Sequence, residues 1–130
     1  MTPSEIITQE AKKVGYDADV MLRKVNKLVS GKAAILLQNN DSLLLLINIA
    51  KNTVELHLFT QDSPTALLSS LKYFVQKIKA SDIKTVYGSN DDSQSNRLKN
   101  TLDILDKMGV DVSKSNLPRY HWMATVEGSK

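Results

Sequence analysis

Apolar positions along the chain follow two periods, and the changes between them mark out the elements. From Thr2 the pattern is helical: Ile6, Ile7, Glu10, Ala11 and Val14 share one stripe. Thr2 and Glu5 form a capping box around Pro3, and Gly15 is a left-handed stop. Asp17 caps a second helical run with Val20, Met21, Val25, Leu28 and Val29 on one side, closed by Gly31. At Lys32 the period shortens. Ala33 to Leu37 and Leu43 to Ile49 flank the polar turn Gln38 to Ser42 and predict a hairpin. A turn at Lys51-Asn52 leads into Thr53 to Thr60, where Val54, Leu56 and Leu58 alternate with Glu55, His57 and Phe59, so a three-strand meander is expected.

Asp62-Ser63-Pro64 starts the next helix, with Leu67, Leu71, Phe74, Val75 and Ile78 on one wide face. Ile83 to Tyr87 reads as a short strand, and strand, helix and strand in series imply a right-handed parallel crossover. A helix from about Ser93 to Met108 follows, with Leu98, Leu102, Leu105 and Met108 inward and Gly109 after it. Val110 to Val112 and Tyr120 to Val126 supply two last strands around the loop Lys114 to Pro118. The chain therefore reads as one α/β (α+β) domain over 1–130, with a mixed, mostly antiparallel sheet flanked by helices. It has a helical start (1–31), a meander (32–60) and a helix-strand-helix-strand-strand part (61–130).

Composition narrows the chemistry. Among 130 residues there is no cysteine, so disulfides, thiolate nucleophiles and sulfur-ligated zinc are excluded. The start of the chain carries no readable signal peptide, which predicts an intracellular protein, and Leu43 to Ala50 is far too short to cross a bilayer. A net charge of +3 from interspersed acids and bases favours solubility. Lys72, Lys77, Lys79 and Lys84 do not form one helical stripe and have no aromatic platform, so nucleic-acid binding is not expected from them; a DNA-associated accessory role stands as a third reading.

The order helix-helix, meander, helix, strand, helix, strand, strand resembles the GNAT acetyltransferase superfamily across nearly the whole chain. Leu102-Asp-Ile-Leu-Asp-Lys-Met-Gly-Val110 looks like that superfamily's penultimate helix. The resemblance implies acetyl-coenzyme A, its diphosphate held by main-chain amides of a Gly-rich loop between the family's fourth strand and the next helix. Here that junction is Gln61-Asp62-Ser63-Pro64-Thr65-Ala66: Gln61 and Ala66 fit, but Pro64 replaces a glycine, and Asp62 is expected to put negative charge where the diphosphate would sit. The family's general-acid tyrosine falls on Leu105, and its helix asparagine on Leu98, with Asn96 nearby.

These departures favour a fold retained without its reaction. The chain also resembles small GNAT-like internal virion proteins of short-tailed phages, which implies a structural part without a cofactor, located in the virion or host cytoplasm. Its expected partners are virion core or portal proteins, or a second copy of the chain. The alternative is an active acetyl-CoA-dependent N-acetyltransferase, cytoplasmic, in which the backbone of Leu58, Phe59 and Thr60 aligns the cofactor arm. Gln61, Asp62, Ser63, Thr65 and Ala66 would then hold the diphosphate, and Tyr87 or Tyr120 would replace the acid. The enzyme requires a splayed gap between the strands on either side of the Pro64 helix; a structural protein tolerates a gap closed by Phe59 and Tyr87.

Other constellations read as follows. His57 and Glu55 lie two apart on one strand face, which suits either a general base with its orienting carboxylate or a plain polar face. Asp91 and Asp92 do not have calcium-loop spacing and read as helix capping, so no metal site is expected. Arg119, Tyr120, His121, Trp122 and Met123 concentrate residue types that dominate interfaces; half of them should be core by alternation, and the other half is the expected partner-binding patch.

Overall fold

Capping chemistry sets the helix ends as the sequence predicts. In the computed structural model, which describes residues 1–88 and 110–126, Thr2 and Glu5 close a reciprocal capping box on α1 (Pro3–Val14), and Gly15 ends it at φ 77°. Asp17 accepts from the amides of Asp19 and Val20 to start α2 (Ala18–Ser30). At its far end the left-handed residue is Lys32 (φ 59°) and not Gly31. Val20 and Val29 are exposed rather than packed, while Val25 is buried with Met21, Leu22 and Leu28 against it.

The hairpin turn is tighter than the five polar residues suggest. β1 (Ala34–Asn39) and β2 (Ser42–Ala50) pair up to Asn39 opposite Ser42, leaving only Asn40 and Asp41 between them, with Asn40 at φ 50°. Asn52 at φ 57° makes the next turn into β3 (Thr53–Thr60). Asparagine tolerates this region because its short polar side chain compensates locally.

Then come α3 (Pro64–Lys79), β4 (Thr85–Gly88), β5 (Asp111–Lys114) and β6 (Trp122–Thr125). The described strands form one sheet in the order β1-β2-β3-β4-β6-β5, antiparallel except for the β3–β4 pair. The helix expected over Ser93 to Met108, with Asn96, Leu98, Leu105 and Gly109, lies outside the described residues.

Strand alternation divides the core in two. Leu44, Leu46, Val54, Val86, Trp122 and Ala124 face α3 with Phe74, Val75 and Ile78. Leu43, Leu45, Phe59 and Ala34 face the other side with Ile6 and Ile7 of α1 and Val25 of α2. At Gly88 the backbone passes so close to Trp122 that a Cβ would fall 2.1 Å from the indole, so only glycine fits there.

The parallel pair matters most for function. Among the described residues it runs from Thr53↔Thr85 to Glu55↔Tyr87, with β4 described to Gly88 and β3 to Thr60. Asn52 accepts from the amides of Lys84 and Thr85, so alternate residues from Asn52 onward turn their main-chain groups toward β4. Leu56 and then Leu58 are the next of these beyond the last described ladder pair. Phe59, which the closed-gap reading places between the strands, instead packs with α1 and α2. No helix among the described residues is long and apolar enough to cross a membrane.

Candidate functional site

At the last described pair of the β3–β4 ladder, strand alternation sets Glu55, His57 and Tyr87 on the sheet face opposite α3. The return of the chain through the β5–β6 loop adds Asn116, Arg119 and Tyr120. Glu55 accepts a 2.6 Å hydrogen bond from the Tyr120 hydroxyl on Oε1, and its Oε2 lies 2.6 Å from Nε2 of His57. Tyr87 and Tyr120 stack with centroids 5.2 Å apart, and the Tyr87 hydroxyl donates to Asn116 Oδ1 at 2.8 Å. The loop is thus latched twice, to β4 through Asn116 and to β3 through Tyr120.

Burial alone would raise the Glu55 carboxyl, but the bonds from Tyr120 and His57, with the charges of His57 and Arg119, outweigh it and hold the group below its ordinary range. Glu55 is therefore a carboxylate at neutral pH and only accepts, which places the imidazole hydrogen on Nε2. The lone pair of a neutral His57 is then on Nδ1, on a side chain 46% exposed to solvent. This is a base with its tautomer fixed from behind.

Burial pushes the Tyr120 hydroxyl up from 10.0, and the bond and charge of Glu55 add to that, so it stays a donor. Tyrosinate absorbance in an alkaline titration is expected to show a late phase above the ordinary value, removed by Tyr120→Phe. A raised value means the native state holds the proton more tightly. Its stability contribution is full below about pH 10 and is lost as pH rises through the folded value. For Glu55, whose value is lowered, the contribution is present above the unfolded 4.5 and is lost as pH falls through the folded value.

The structure separates the five residues of the late cluster. Tyr120 and Trp122 are buried, one in the relay and the other in the α3-side core, while Arg119 and His121 are exposed and Met123 half-buried. No contiguous aromatic patch faces solvent there. His57 and Tyr120 come together although 63 positions apart, and no pattern in the sequence announces that contact.

The Gln61 to Ala66 junction differs from expectation at Asp62. Its carboxylate does not lie over the helix amides: Oδ2 accepts from Ser42 Oγ (2.5 Å) and Ser70 Oγ (2.9 Å), and Oδ1 from the Asp41 amide (2.9 Å). Ser63, not Asp62, is the N-cap, with a 3.4 Å bond from the Ala66 amide. Gln61 turns to Glu10 of α1 at 2.9 Å. Leu58 is half-buried, Phe59 and Thr60 are buried, and the Thr65 amide has no partner among the described residues. The residues present thus fit an extended acyl-carrier arm along Leu58, and at the first turn of α3 they offer a diphosphate the Thr65 amide instead of a glycine loop. No cluster of His, Asp and Glu able to hold a metal occurs among the described residues.

No protein-family model matches the sequence, and no curated protein matches it. Solved structures do. An N-acetyltransferase of Campylobacter jejuni, PseH, in complex with acetyl coenzyme A, is similar over 99% of this chain and 94% of its own, with a TM-score of 0.54 and 16% identity. A chimera of Vibrio cholerae spermidine N-acetyltransferase SpeG with hSSAT matches over 95% and 88%, with a TM-score of 0.53 and 12% identity. The ribosomal-protein-S18-alanine N-acetyltransferase of Escherichia coli matches over 100% and 93%, with a TM-score of 0.57 and 8% identity. The chain aligns with these structures over nearly its whole length, the described residues form one mixed sheet, and the fold is that of the GNAT acetyltransferases.

Proposed function

We propose that the protein transfers an acyl group from a coenzyme A thioester to an amine, with His57 as the base on the acceptor side. The observation that carries this reading is the Tyr120–Glu55–His57 relay, set at the last described ladder pair of two parallel strands. The fold neighbours support the cofactor, one being a complex with acetyl coenzyme A, and their names as N-acetyltransferases support an amine acceptor.

The thioester supplies an activated acyl carbon, whose bond to nitrogen forms as its bond to sulfur breaks. Leu58 would offer main-chain groups to the acyl arm, and the sulfur would leave as the coenzyme A thiolate. His57 Nδ1 takes the proton of the incoming ammonium or amine, Glu55 faces the imidazolium that results, and Tyr120 fixes the carboxylate from its other oxygen. Neither tyrosine replaces the missing helix acid without first giving up a bond, since Tyr87 donates to Asn116 and Tyr120 to Glu55.

A second reading, a non-catalytic interaction protein on the same fold, is favoured by the junction without glycine and with Pro64 at the first helical position. Under it, Arg119, His121 and Met123 provide the exposed edge for a partner; a virion setting rests on the sequence resemblance alone. Thermal unfolding with acetyl-CoA separates the two. Ligand at 100 times its dissociation constant stabilises by about 2.7 kcal/mol, so the midpoint should climb with concentration. No shift at millimolar acetyl-CoA would sink the acyl-transfer reading.

A further inference from the structure

We infer, resting on the acyl-transfer reading, that the acceptor amine carries an anionic group, a carboxylate or a phosphate, which Arg119 holds beside the relay. The nearest guanidinium nitrogen of Arg119 is 3.8 Å from Glu55 Oε1, beyond hydrogen-bond distance, while that oxygen already takes the Tyr120 hydrogen at 2.6 Å. Glu55 therefore leaves the guanidinium donors unspent. Arg119 is 80% exposed, yet its head is not random: it lies 5.7 Å from the centre of the Tyr120 ring.

The backbone beneath it is fixed as well. The Tyr120 amide donates to the Leu117 carbonyl at 3.1 Å, Ser115 bonds both the amide and the carbonyl of Leu117, and Asn116 is held by Tyr87. A planar fork whose donors take no hydrogen bond among the described residues, anchored one carboxylate away from a base, matches a carboxylate or phosphate on the molecule whose amine reaches that base. The same charge repels a polyamine at the point where its nitrogen would have to lose a proton.

Among the described residues, no helix covers this position. α1 and α2 pack on β1 to β3, whereas β4 and β6 present Thr85, Met123 and Thr125 on that side by register. Besides Glu55, the described acid on this face of β4 to β6 is Asp111, which pairs with Thr125 at the far end of β6 from Arg119 and so does not neutralise it.

Acceptor competition with the full chain and acetyl-CoA tests the inference, using glycyl-glutamate, phosphoethanolamine and spermidine. At least one anionic amine should exceed spermidine by tenfold or more in kcat/KM, and Arg119→Glu should lower that ratio by tenfold or more. The better of the two anionic acceptors tells carboxylate from phosphate. An unchanged ratio in Arg119→Glu overturns the inference and leaves acyl transfer standing.

Binding without turnover is read from the imidazole NMR signals of His57, assigned with His121→Asn. Their displacement by an anionic amine, and its loss in Arg119→Glu, would support the anion site even if no amine is acylated, in which case the reaction assigned above fails alone. No displacement together with no acylation overturns both.

Discussion

Replacing His57 with glutamine is expected to lower kcat/KM for acyl transfer by about 10²- to 10⁴-fold, the contribution of a positioned general base. Glutamine keeps a side-chain N–H for Glu55 Oε2, so the relay and the strand pairing remain. What it removes is the lone pair on the far side of the ring. The thermal midpoint should therefore stay close to the native value while the rate falls. His57→Ala supplies a second readout, because added imidazole should restore part of its activity and should do nothing for the native protein. If His57→Gln keeps its rate within about threefold, the proton leaves by another route, and the exposed imidazole is only the outer end of a polar strand face.

Glu55 explains why such a result separates chemistry from structure. Its carboxylate receives Tyr120 from a loop 65 positions away and His57 from its own strand, so truncating Glu55 would disturb both latch and base. His57 sits at the solvent end of that chain and changes the chemistry with the least disturbance to packing.

Local physics in the sequence accounts for most of the fold. Caps at Thr2, Asp17 and Ser63, two asparagine turns and the switch of period at Lys32 are effects of neighbouring residues, and each stands where the pattern places it. The alternation of Val54, Leu56 and Leu58 against Glu55, His57 and Phe59 also gives the two faces of β3 correctly. Alternation by itself is enough to put His57 beside Glu55.

Contacts closed by tertiary folding had no comparable signal. Tyr120 could be core, interface or acid in the sequence, and only the return of the β5–β6 loop brings it to Glu55. Asn116 is an ordinary loop residue by sequence, and its role comes from the Tyr87 hydroxyl that donates to it. Asp62 misleads for a related reason. Its position before a helix suggests a charge over the first-turn amides, but Ser42 and Ser70 give its carboxylate a buried alternative. Ser70 carried the available hint: a hydroxyl beside Leu71 and Phe74 on an apolar face must find a polar partner when buried.

That alternative predicts a large loss of stability on Asp62→Ala, about 2 kcal/mol or more in denaturant unfolding. The carboxylate only accepts when ionised, so the direction of the surrounding bonds is determined. Ser42 gives its hydrogen to Asp62 Oδ2, which obliges Thr60 to donate to Ser42 across their 2.6 Å contact, and Thr60 in turn accepts the Asp62 amide at 3.1 Å. Ser42, Thr60 and Ser70 are at most 1% exposed, so water cannot replace a lost acceptor without rearrangement. Each buried donor left unsatisfied costs about 1–3 kcal/mol, and alanine at 62 takes this acceptor from the Ser42 hydroxyl and the Asp41 amide, while Ser70 keeps the Asn39 carbonyl at 3.0 Å. Adding Ser42→Ala to Asp62→Ala should cost less than the sum of the two, because the serine donor then has no acceptor to miss. The same ring ties the start of α3 to the β1–β2 turn, so Asp62→Ala should weaken coenzyme A binding in the folded protein. If Asp62→Ala instead tightens that binding with stability unchanged, the carboxylate acts as a repulsive charge over the helix amides and the buried ring is not what holds the junction.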